Sequence, residues 1–262
     1  MELNDVKGCK VIILAGGLGT RLKEETEFKP KPMVKIGNKP IIFHIMNIYS
    51  KYGFNDFIIA AGYKSEMIKE YFLNFATMNN DIHVDLENHK INLLSNEKFP
   101  FKVTIVDTGQ NTMTGGRIKR LQKYIGNNRF MVTYGDGVAD INIKELMDFH
   151  ISQNKIATVT GVRPTSRFGK LKIEGHTVTD FKEKPQGDEG FINGGFFVFE
   201  PEIFNYIKDD SIMLEGEPLE TISKLNQLSV FRHDKFWKCM DTYKDVETLN
   251  ELWDKGRAEW IQ

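Results

Sequence analysis

A glycine-rich stretch that ends in an arginine follows the first apolar segment of the chain. From Lys10 to Leu22 the sequence reads KVIILAGGLGTRL, so an unbroken apolar run leads into three glycines and then Arg21. Glycines let backbone N–H groups converge on an anion, because no Cβ obstructs the approach. The guanidinium of Arg21 adds a fixed fork of donors that matches a phosphate. The sequence therefore predicts a phosphorylated ligand at Gly16, Gly17 and Gly19.

Two better-known phosphate loops do not fit this stretch. A Walker A loop ends in Gly-Lys-Ser/Thr, whereas Gly19 is followed here by Thr20 and Arg21. A dinucleotide fingerprint needs a glycine where this chain has Leu22, and it opens directly into a helix. The segment that follows here, KEETEFKPKPMVKIGNKP, contains prolines that exclude a continuous helix. An ordinary glycine-rich turn between a strand and a helix remains the alternative interpretation.

Prolines hold a run of lysines in the basic loop that comes next. Lys31 lies in FKPKPMVK between Pro30 and Pro32, so its backbone cannot move freely. A fixed ammonium group suits a polyphosphate that must accept a nucleophile, since repulsion between phosphate groups opposes the attack. We therefore expect Lys31 to be catalytic; a solvated basic loop is the alternative.

Two aspartates at the ends of predicted strands are candidate metal ligands. Asp136 ends FMVTYGD and lies between Gly135 and Gly137, and Asp241 ends the late segment FWKCMD. A carboxylate beside small residues leaves room for a hydrated Mg²⁺ that bridges phosphate oxygens. The alternative is an aspartate that caps a helix or closes a turn, which is common where strands end. The sequence does not show whether the two carboxylates meet.

A further group of polar residues suits a sugar phosphate. Glu183 and Lys184 lie in the motif EKP, and Asn193 and Gly194 lie in the motif NGG. Carboxylate and amide groups form hydrogen bonds with sugar hydroxyls, and a lysine pairs with a phosphate. Hairpin and turn chemistry is the alternative explanation for each of these residues.

The composition restricts the partners of the chain. Its 262 residues include 35 Lys and Arg against 36 Asp and Glu, a net charge of -1, which argues against a nucleic-acid or membrane-surface binder. Two cysteines are too few to crosslink a domain of this size, and the N-terminus MELNDVKG has no apolar signal core. No apolar run approaches the ~20 residues that a membrane helix needs. We therefore expect a cytoplasmic globular protein.

Predicted strands and helices alternate through the first half of the chain. Strands are expected in DFIIAAGY, KVTIVDTG and NRFMVTYGDG, and helices in IIFHIMNIYS, in EMIKEYFLNF with Ser65 as its cap, and over Ile143 to Gln153. The second half adds a hairpin in GKLKIEGHTVTDFKEKP, a strand in FINGGFFVF and a closing helix from Asp245 to Lys255. This order predicts an α/β fold with a Rossmann-like mixed, largely parallel sheet, helices on both faces, and small hairpin and C-terminal helical additions. We expect one domain over residues 1–262, with residues 1–9 as an N-terminal extension.

Five motifs, in this order, resemble the sugar-1-phosphate nucleotidylyltransferases: GGLGTRL, KPKPMV, YGDG, EKP and NGGFF. Within that family, VDTGQNTMTGGRIKR and FWKCMDT are similar to the branch that transfers cytidylyl groups to glucose 1-phosphate. The thymidylyl and guanylyl branches tend to carry an Arg-x-x-Pro-x-Thr run after the first loop. Here Arg21 is followed by LKEETEF, which favours the cytidylyl branch.

The resemblance implies that an oxygen of glucose 1-phosphate attacks the α-phosphorus of CTP, giving CDP-glucose and pyrophosphate without a covalent intermediate. It implies that Lys31, Arg21 and Asp136 are catalytic, that Asp136 and Asp241 bind Mg²⁺, and that the enzyme is a homo-oligomer. The residues that would hold the nucleotide are Leu14, Ala15, Gly16, Gly17, Gly19, Thr20, Arg21, Thr114, Gly115, Arg117 and Gly135. Those that would hold the sugar phosphate are Glu183, Lys184, Asn193 and Gly194.

Three alternatives remain open at this point. Another nucleotide or sugar 1-phosphate could be the substrate, since base choice can depend on one or two hydrogen bonds. A nucleotide-sugar glycosyltransferase would need an Asp-x-Asp motif, whereas YGDGVAD places its aspartates at Asp136 and Asp140. A nucleotide-sugar sensor without catalysis is the non-enzyme alternative, and the presence of both Lys31 and Asp136 argues against it.

Overall fold

The apolar run after Lys10 forms an interior strand of a seven-stranded sheet. The computed structural model describes residues 8–95, 97–164, 170–174, 176–182 and 190–261. Strand β1 (Lys10–Ala15) lies between β4 (Asp56–Ala61) and β8 (Phe130–Tyr134) and runs parallel to both. Ile12 and Ile13, which point to opposite faces, are both fully buried, as expected for a strand covered on both sides.

In order across the sheet, the strands are β14 (Leu228–His233), β10 (Ala157–Val162), β13 (Ile192–Phe199), β8, β1, β4 and β7 (Lys102–Asp107). Strand β13 is antiparallel to both of its neighbours, and the other pairs are parallel, so the predicted mixed, largely parallel Rossmann-like sheet is confirmed. The remaining strands of the described residues are β2 (Lys35–Ile36), β3 (Lys39–Pro40), β5 (Ile82–Asp85), β6 (Lys90–Leu93), β9 (Gly137–Ala139), β11 (Lys170–Glu174), β12 (Thr177–Lys182) and β15 (Trp237–Cys239).

Helices cover the sheet, and buried side chains form a separate core on each of its faces. The α-helices of the described residues are α1 (Lys23–Thr26), α2 (Ile41–Ser50), α3 (Ser65–Leu73), α4 (Phe75–Met78), α5 (Thr114–Arg120), α6 (Gln122–Ile125), α7 (Ile143–Gln153), α8 (Glu217–Lys224) and α9 (Tyr243–Asp254). Helix α2 packs on one face through Ile41 and Ile45, and α5 packs on the other through Ile118. Among the described residues, no helix is both long enough and apolar enough to cross a membrane.

Two predicted helix starts are wrong in detail. The cap of α3 is Lys64, which has a left-handed conformation at φ 49°, and Ser65 is the first helical residue with no capping side-chain bond. The backbone N–H of Ser65 donates to the carbonyl of Gly62 at 3.1 Å, and that of Met67 donates to the carbonyl of Lys64 at 3.1 Å. Helix α9 begins at Tyr243 rather than Asp245, because Thr242 forms a capping box with Asp245.

An apolar groove lies at one edge of the sheet, between α3, α4 and β7. Its floor and walls include Phe72, Phe75, Leu93, Phe99 and Phe101, and its volume is about 560 Å³. The aliphatic side chains of the β5–β6 hairpin are exposed beside it. This edge of the molecule therefore carries apolar surface that the described residues leave exposed.

Candidate active site

The glycine-rich loop leaves the carboxyl end of β1 beside the end of β8. Gly19 has φ 65°, a left-handed conformation that favours glycine, and a Cβ there would lie 2.7 Å from the Cγ2 atom of Thr26. A Cβ on Gly16 would lie 2.0 Å from Nη1 of Arg117, whereas a Cβ on Gly17 would meet nothing within 4 Å. The loop is therefore closely packed on one side and open on the other.

Arg117 supports the packed side of this loop. Its guanidinium is buried and donates to the carbonyl oxygens of Gly16 at 2.9 Å and Gly109 at 2.7 Å, and to the hydroxyl of Thr108 at 2.8 Å. Burial lowers the pKa of this guanidinium. Because the C=O and N–H groups of a trans peptide point in opposite directions, the bond to the Gly16 carbonyl turns the Gly17 N–H away from Arg117. That N–H is thereby available to an anion on the open side.

Four charged side chains meet next to the loop. The ammonium group of Lys31 donates to Asp136 Oδ2 at 2.7 Å and to Asp241 Oδ1 at 2.6 Å. The guanidinium of Arg21 donates to the other oxygen of Asp241 at 2.7 Å. The side chain of Lys31 is 11% exposed, whereas that of Arg21 is 73% exposed. Lys31 is thus held between two carboxylates, and Arg21 reaches the cluster from solvent.

The charges in this cluster shift the pKa values of its members. Burial alone would lower the pKa of Lys31, but the charge and hydrogen bond of Asp136, with those of Asp241, raise it above its ordinary value. Burial alone would raise the pKa of Asp241, but its hydrogen bond and ion pair with Lys31 hold it below its ordinary value. Both shifts favour the charged forms, so the ion pairs persist at neutral pH.

Three separate pieces of chain bring these charges together. Lys31 begins a single 3-10 turn that ends at Met33, with Pro30 before it and Pro32 inside it. Asp136 follows β8 and precedes β9, and β15 pairs antiparallel with β9, which delivers Asp241 beside it. The backbone N–H of Met240 also donates to the carbonyl of Asp136 at 2.8 Å. The two aspartates that the sequence left unconnected therefore meet at one lysine.

A cavity of about 500 Å³ opens over the loop and the charged cluster. Most of the residues that the resemblance assigned to the nucleotide line it, Arg21 among them, together with the other two catalytic candidates: Leu14, Ala15, Gly16, Gly17, Gly19, Thr20, Arg21, Thr114, Arg117, Gly135, Lys31 and Asp136. Its remaining lining residues were not found from the sequence: Pro32, Thr112, Met113, Tyr134, Met213 and Glu215. Pro32, Thr112, Met113 and Tyr134 lie inside motifs named above but were not singled out there. Met213 and Glu215 lie in a loop with no recognisable motif, so no local signal marks them.

A line of hydrogen bonds runs along one wall of this cavity. Glu215 accepts from the hydroxyl of Thr114 at 2.6 Å and from the hydroxyl of Tyr134 at 2.5 Å. Asn193 Nδ2 donates to the Tyr134 hydroxyl at 2.9 Å. Burial and the charge of Glu215 raise the pKa of Tyr134, so its hydroxyl keeps its proton. The line therefore connects a predicted nucleotide residue with a predicted sugar residue.

Three of the predicted glycines serve close packing. A Cβ on Gly115 would lie 2.7 Å from the carbonyl oxygen of Ile212, and one on Gly135 would lie 2.7 Å from that of Leu14. The carbonyl of Gly194 accepts a hydrogen bond from the Trp237 indole at 2.8 Å. These glycines let strands and loops approach closely around the cavity.

Glu183 and Lys184, which the sequence predicts at the sugar phosphate, lie outside the described residues. Asn193 is exposed near the start of β13, next to Gly194. The structure thus describes one side of the predicted sugar site and not the other.

Residues 10–259 match the Nucleotidyl transferase family. The match covers nearly the whole chain, and the fold and the loop with its charged cluster agree with it. The chain belongs to this family of enzymes, so the predicted resemblance is confirmed.

More specific likenesses follow from individual relatives. The chain is 48% identical to glucose-1-phosphate cytidylyltransferase of Salmonella typhi over 96% of this chain and 98% of that protein. It is 31% identical to D-glycero-alpha-D-manno-heptose 1-phosphate guanylyltransferase of Campylobacter jejuni, over 87% of this chain and 92% of that protein. Among solved structures, HddC from Yersinia pseudotuberculosis superposes with a TM-score of 0.68 at 26% identity, covering 94% of this chain and 99% of the other.

Proposed function

We propose that this chain transfers a cytidylyl group from CTP to α-D-glucose 1-phosphate, giving CDP-glucose and pyrophosphate. The observation that carries the chemistry is the position of Lys31, fixed between Asp136 and Asp241 beside an open glycine-rich loop. The choice of cytosine and glucose is supported by the 48% identity to a glucose-1-phosphate cytidylyltransferase along almost the full length of both chains.

In this reaction a phosphate oxygen of the sugar attacks the α-phosphorus of CTP in line, and pyrophosphate leaves. No residue has to form a covalent bond, so catalysis consists of positioning and charge stabilisation. Lys31 supplies fixed positive charge at the reacting phosphates, and Arg21 supplies donors from the solvent side. Backbone N–H groups of the loop, such as that of Gly17, hold the phosphate oxygens of the nucleotide.

The two carboxylates of the cluster suit Mg²⁺. Among the described residues, no group of three or more His, Cys, Asp or Glu side chains could hold a metal ion. Asp136 and Asp241 nevertheless converge on one ammonium group, and Mg²⁺ is usually bound by one or two carboxylates together with phosphate oxygens and water. When bound, the ion would neutralise phosphate charge. We therefore assign these two residues as its protein ligands.

Asn193 contacts sugar hydroxyls in this proposal, and Gly194 provides the close approach beside it. Glu183 and Lys184 complete the sugar-phosphate site, the carboxylate at a hydroxyl and the ammonium at the phosphate. We further propose one domain over residues 1–262 and a cytoplasmic location, where CTP is available. The central sheet supports the single domain, because it takes strands from Lys10 through His233.

A homo-oligomer is the proposed assembly, with the apolar groove at the sheet edge as part of its interface. Leu73, which lines the groove, is 83% exposed. A Leu73→Asp variant is expected to lower the mass measured by sedimentation, whereas Leu225→Asp, an exposed position away from the groove, leaves it unchanged. Equal masses for the parent chain and both variants would exclude the groove as an interface.

Pyrophosphate release tests the function directly. The chain is incubated with glucose 1-phosphate and Mg²⁺, and CTP, UTP, dTTP, GTP and ATP are offered in separate reactions. We expect release with CTP to exceed release with the other nucleotides by about 10²-fold or more, as for a site that hydrogen-bonds one base edge. Release with another nucleotide instead of CTP would support the proposed reaction but contradict the choice of cytosine. No release with any of the five would contradict the proposal for glucose 1-phosphate.

A further inference from the structure

We propose that Glu215 is a positioning residue that fixes the direction of every hydrogen bond from Thr114 to Asn193, and thereby couples nucleotide binding to sugar-phosphate binding. The inference rests on the proposed function, since it takes Thr114 to the nucleotide and Asn193 to the sugar. Glu215 lies in none of the motifs named in the sequence analysis and was not found from the sequence.

The direction of the bonds follows from the carboxylate. A carboxylate has only acceptors, so the hydroxyls of Thr114 and Tyr134 must both donate to Glu215. Each of the two carboxylate oxygens takes one of these bonds. The Thr114 oxygen then has lone pairs free, and it accepts from the backbone N–H of Leu214 at 2.9 Å. The segment that carries Glu215 is thus attached twice to the first residue of α5.

The constraint continues through Tyr134 to Asn193. Because the Tyr134 proton is given to Glu215, its oxygen can only accept from Asn193, so the amide nitrogen must face the tyrosine. The amide oxygen of Asn193 must then face the other way, and it accepts from the backbone N–H of Gly195 at 2.8 Å. One orientation satisfies every group in the line.

Coupling arises because the two ends serve different ligands. Thr114 and Glu215 line the same cavity as the glycine-rich loop, whereas Asn193 is exposed where the sugar is expected. A nucleotide that immobilises Thr114 and Glu215 also holds Tyr134 and Asn193 in one orientation. The sugar phosphate then meets a preorganised amide and loses less conformational freedom on binding.

Glu215→Gln tests the direction of these hydrogen bonds with almost no change in the shape of the side chain. An amide brings two N–H donors, so at least one neighbouring hydroxyl must reverse. If Tyr134 reverses, Asn193 must turn its amide and place its nitrogen against the N–H of Gly195. Glu217→Gln is the matched control, since Glu217 lies two positions away in an exposed ion pair with Lys208.

The experiment measures binding and turnover of the full-length chain. We expect E215Q to raise KM for glucose 1-phosphate by about 10-fold while kcat and the Kd for CTP alone stay within about threefold, as for a lost binding interaction rather than a lost catalytic group. In calorimetry the α,β-methylene analogue of CTP should increase the parent chain's affinity for glucose 1-phosphate by about 10-fold, within the usual range of coupling between sites. That gain should disappear in E215Q and persist in E217Q.

Several results would overturn the inference. An unchanged KM and an unchanged gain in E215Q would remove Glu215 from the coupling, and an equal loss of CTP affinity would make it a nucleotide contact instead. If E215Q does not fold, Tyr134→Phe interrupts the same line and should raise KM for the sugar phosphate in the same way. If both fold, their effects should not add, because they break one line. A parent chain inactive with CTP and glucose 1-phosphate would instead contradict the proposed function.

Discussion

Two of the cavities formed by the described residues have nearly equal volumes, and they differ in how they are built. The cavity over the glycine-rich loop measures about 500 Å³ and is lined by glycines, charged groups and hydroxyls. The apolar groove measures about 560 Å³ and is lined mainly by phenylalanines and aliphatic side chains. In the first, backbone atoms and ion pairs fix the geometry. In the second, Phe75 stacks on the buried ring of Phe43, and Phe99 and Phe101 contact the same ring edge to face.

The difference shows that volume does not distinguish a reaction site from an interaction surface. An apolar groove can contribute area, but it has little with which to stabilise charge in a transition state. At the polar cavity Lys31 pairs with Asp136 and Asp241, and Arg21 pairs with Asp241. Substitutions in the polar cavity should therefore change turnover, and substitutions at the groove should change stability or assembly.

Asp136→Asn should give the largest effect. With one carboxylate of the proposed Mg²⁺ site neutralised, turnover is expected to fall by about 10³-fold, equivalent to about 4 kcal/mol of transition-state stabilisation. The measurement is pyrophosphate release across a Mg²⁺ titration, with Asp254→Asn on the exposed end of α9 as the control. An unchanged Mg²⁺ dependence would mean that the ion binds elsewhere.

Lys31→Ala should come next. Losing the fixed charge at the reacting phosphates is expected to lower kcat by about 10²-fold, about 2.7 kcal/mol. Lys35→Ala, an exposed lysine four positions away, should leave kcat unchanged. Turnover is compared per folded molecule, because two carboxylates face each other once the ammonium is removed. Near-normal turnover would exclude Lys31 from the mechanism.

The pH dependence of unfolding should show how much the charged cluster contributes to the stability of the fold. The folded pKa of Asp241 lies below its unfolded value of about 3.8, so its ion pair contributes stability above that value and loses it as pH falls towards the folded pKa. Each unit of difference is worth about 1.4 kcal/mol. Urea unfolding between pH 7 and about 3 should therefore show a shallower acid-side loss in Lys31→Ala. Identical slopes in the parent chain and the variant would contradict this assignment.

Phe43→Leu should have the smallest effect, and this effect should be on stability alone. Phe43 is 6% exposed and contacts the rings of Phe75, Phe99 and Phe101 at centroid distances of 5.4 to 5.9 Å. The shape change is expected to lower the free energy of unfolding by about 1 kcal/mol and to leave kcat unchanged. A loss of kcat comparable with that of Lys31→Ala would contradict the conclusion that the two cavities have different roles.

Local patterns in the sequence predicted most of the fold. The apolar run at Lys10–Ala15 and the periodic segment at Ile143–Gln153 determine their own conformations, so both elements were found with their bounds close to correct. The prediction of Ser65 as the helix cap is wrong because a left-handed Lys64 occupies the cap position, and lysine is not a residue from which that conformation is expected.

Features of the site that depend on distant contacts were not predictable. Glu215 meets Thr114 and Tyr134 across 101 and 81 positions of sequence, from a loop without a motif. The meeting of Asp136 with Asp241 depends on the pairing of β9 with β15, and a single sequence gives no sign of that pairing. The sequence could therefore identify candidate residues, but it could not show that these residues come together in the folded chain.

The capping box at Thr242 has a consequence for the order in which the site forms during synthesis. The backbone N–H of Asp241 donates to the Asp245 carboxylate at 3.2 Å, so the start of α9 sets where Asp241 lies. Arg21 and Asp241 are 220 positions apart. When a ribosome has synthesised Arg21, Lys31 and Asp136, it has still to synthesise Asp241 and helix α9, which fixes the position of Asp241. A nascent chain that stops before Asp241 consequently holds the phosphate loop but not its second carboxylate, and the chemistry begins only after α9 has been synthesised.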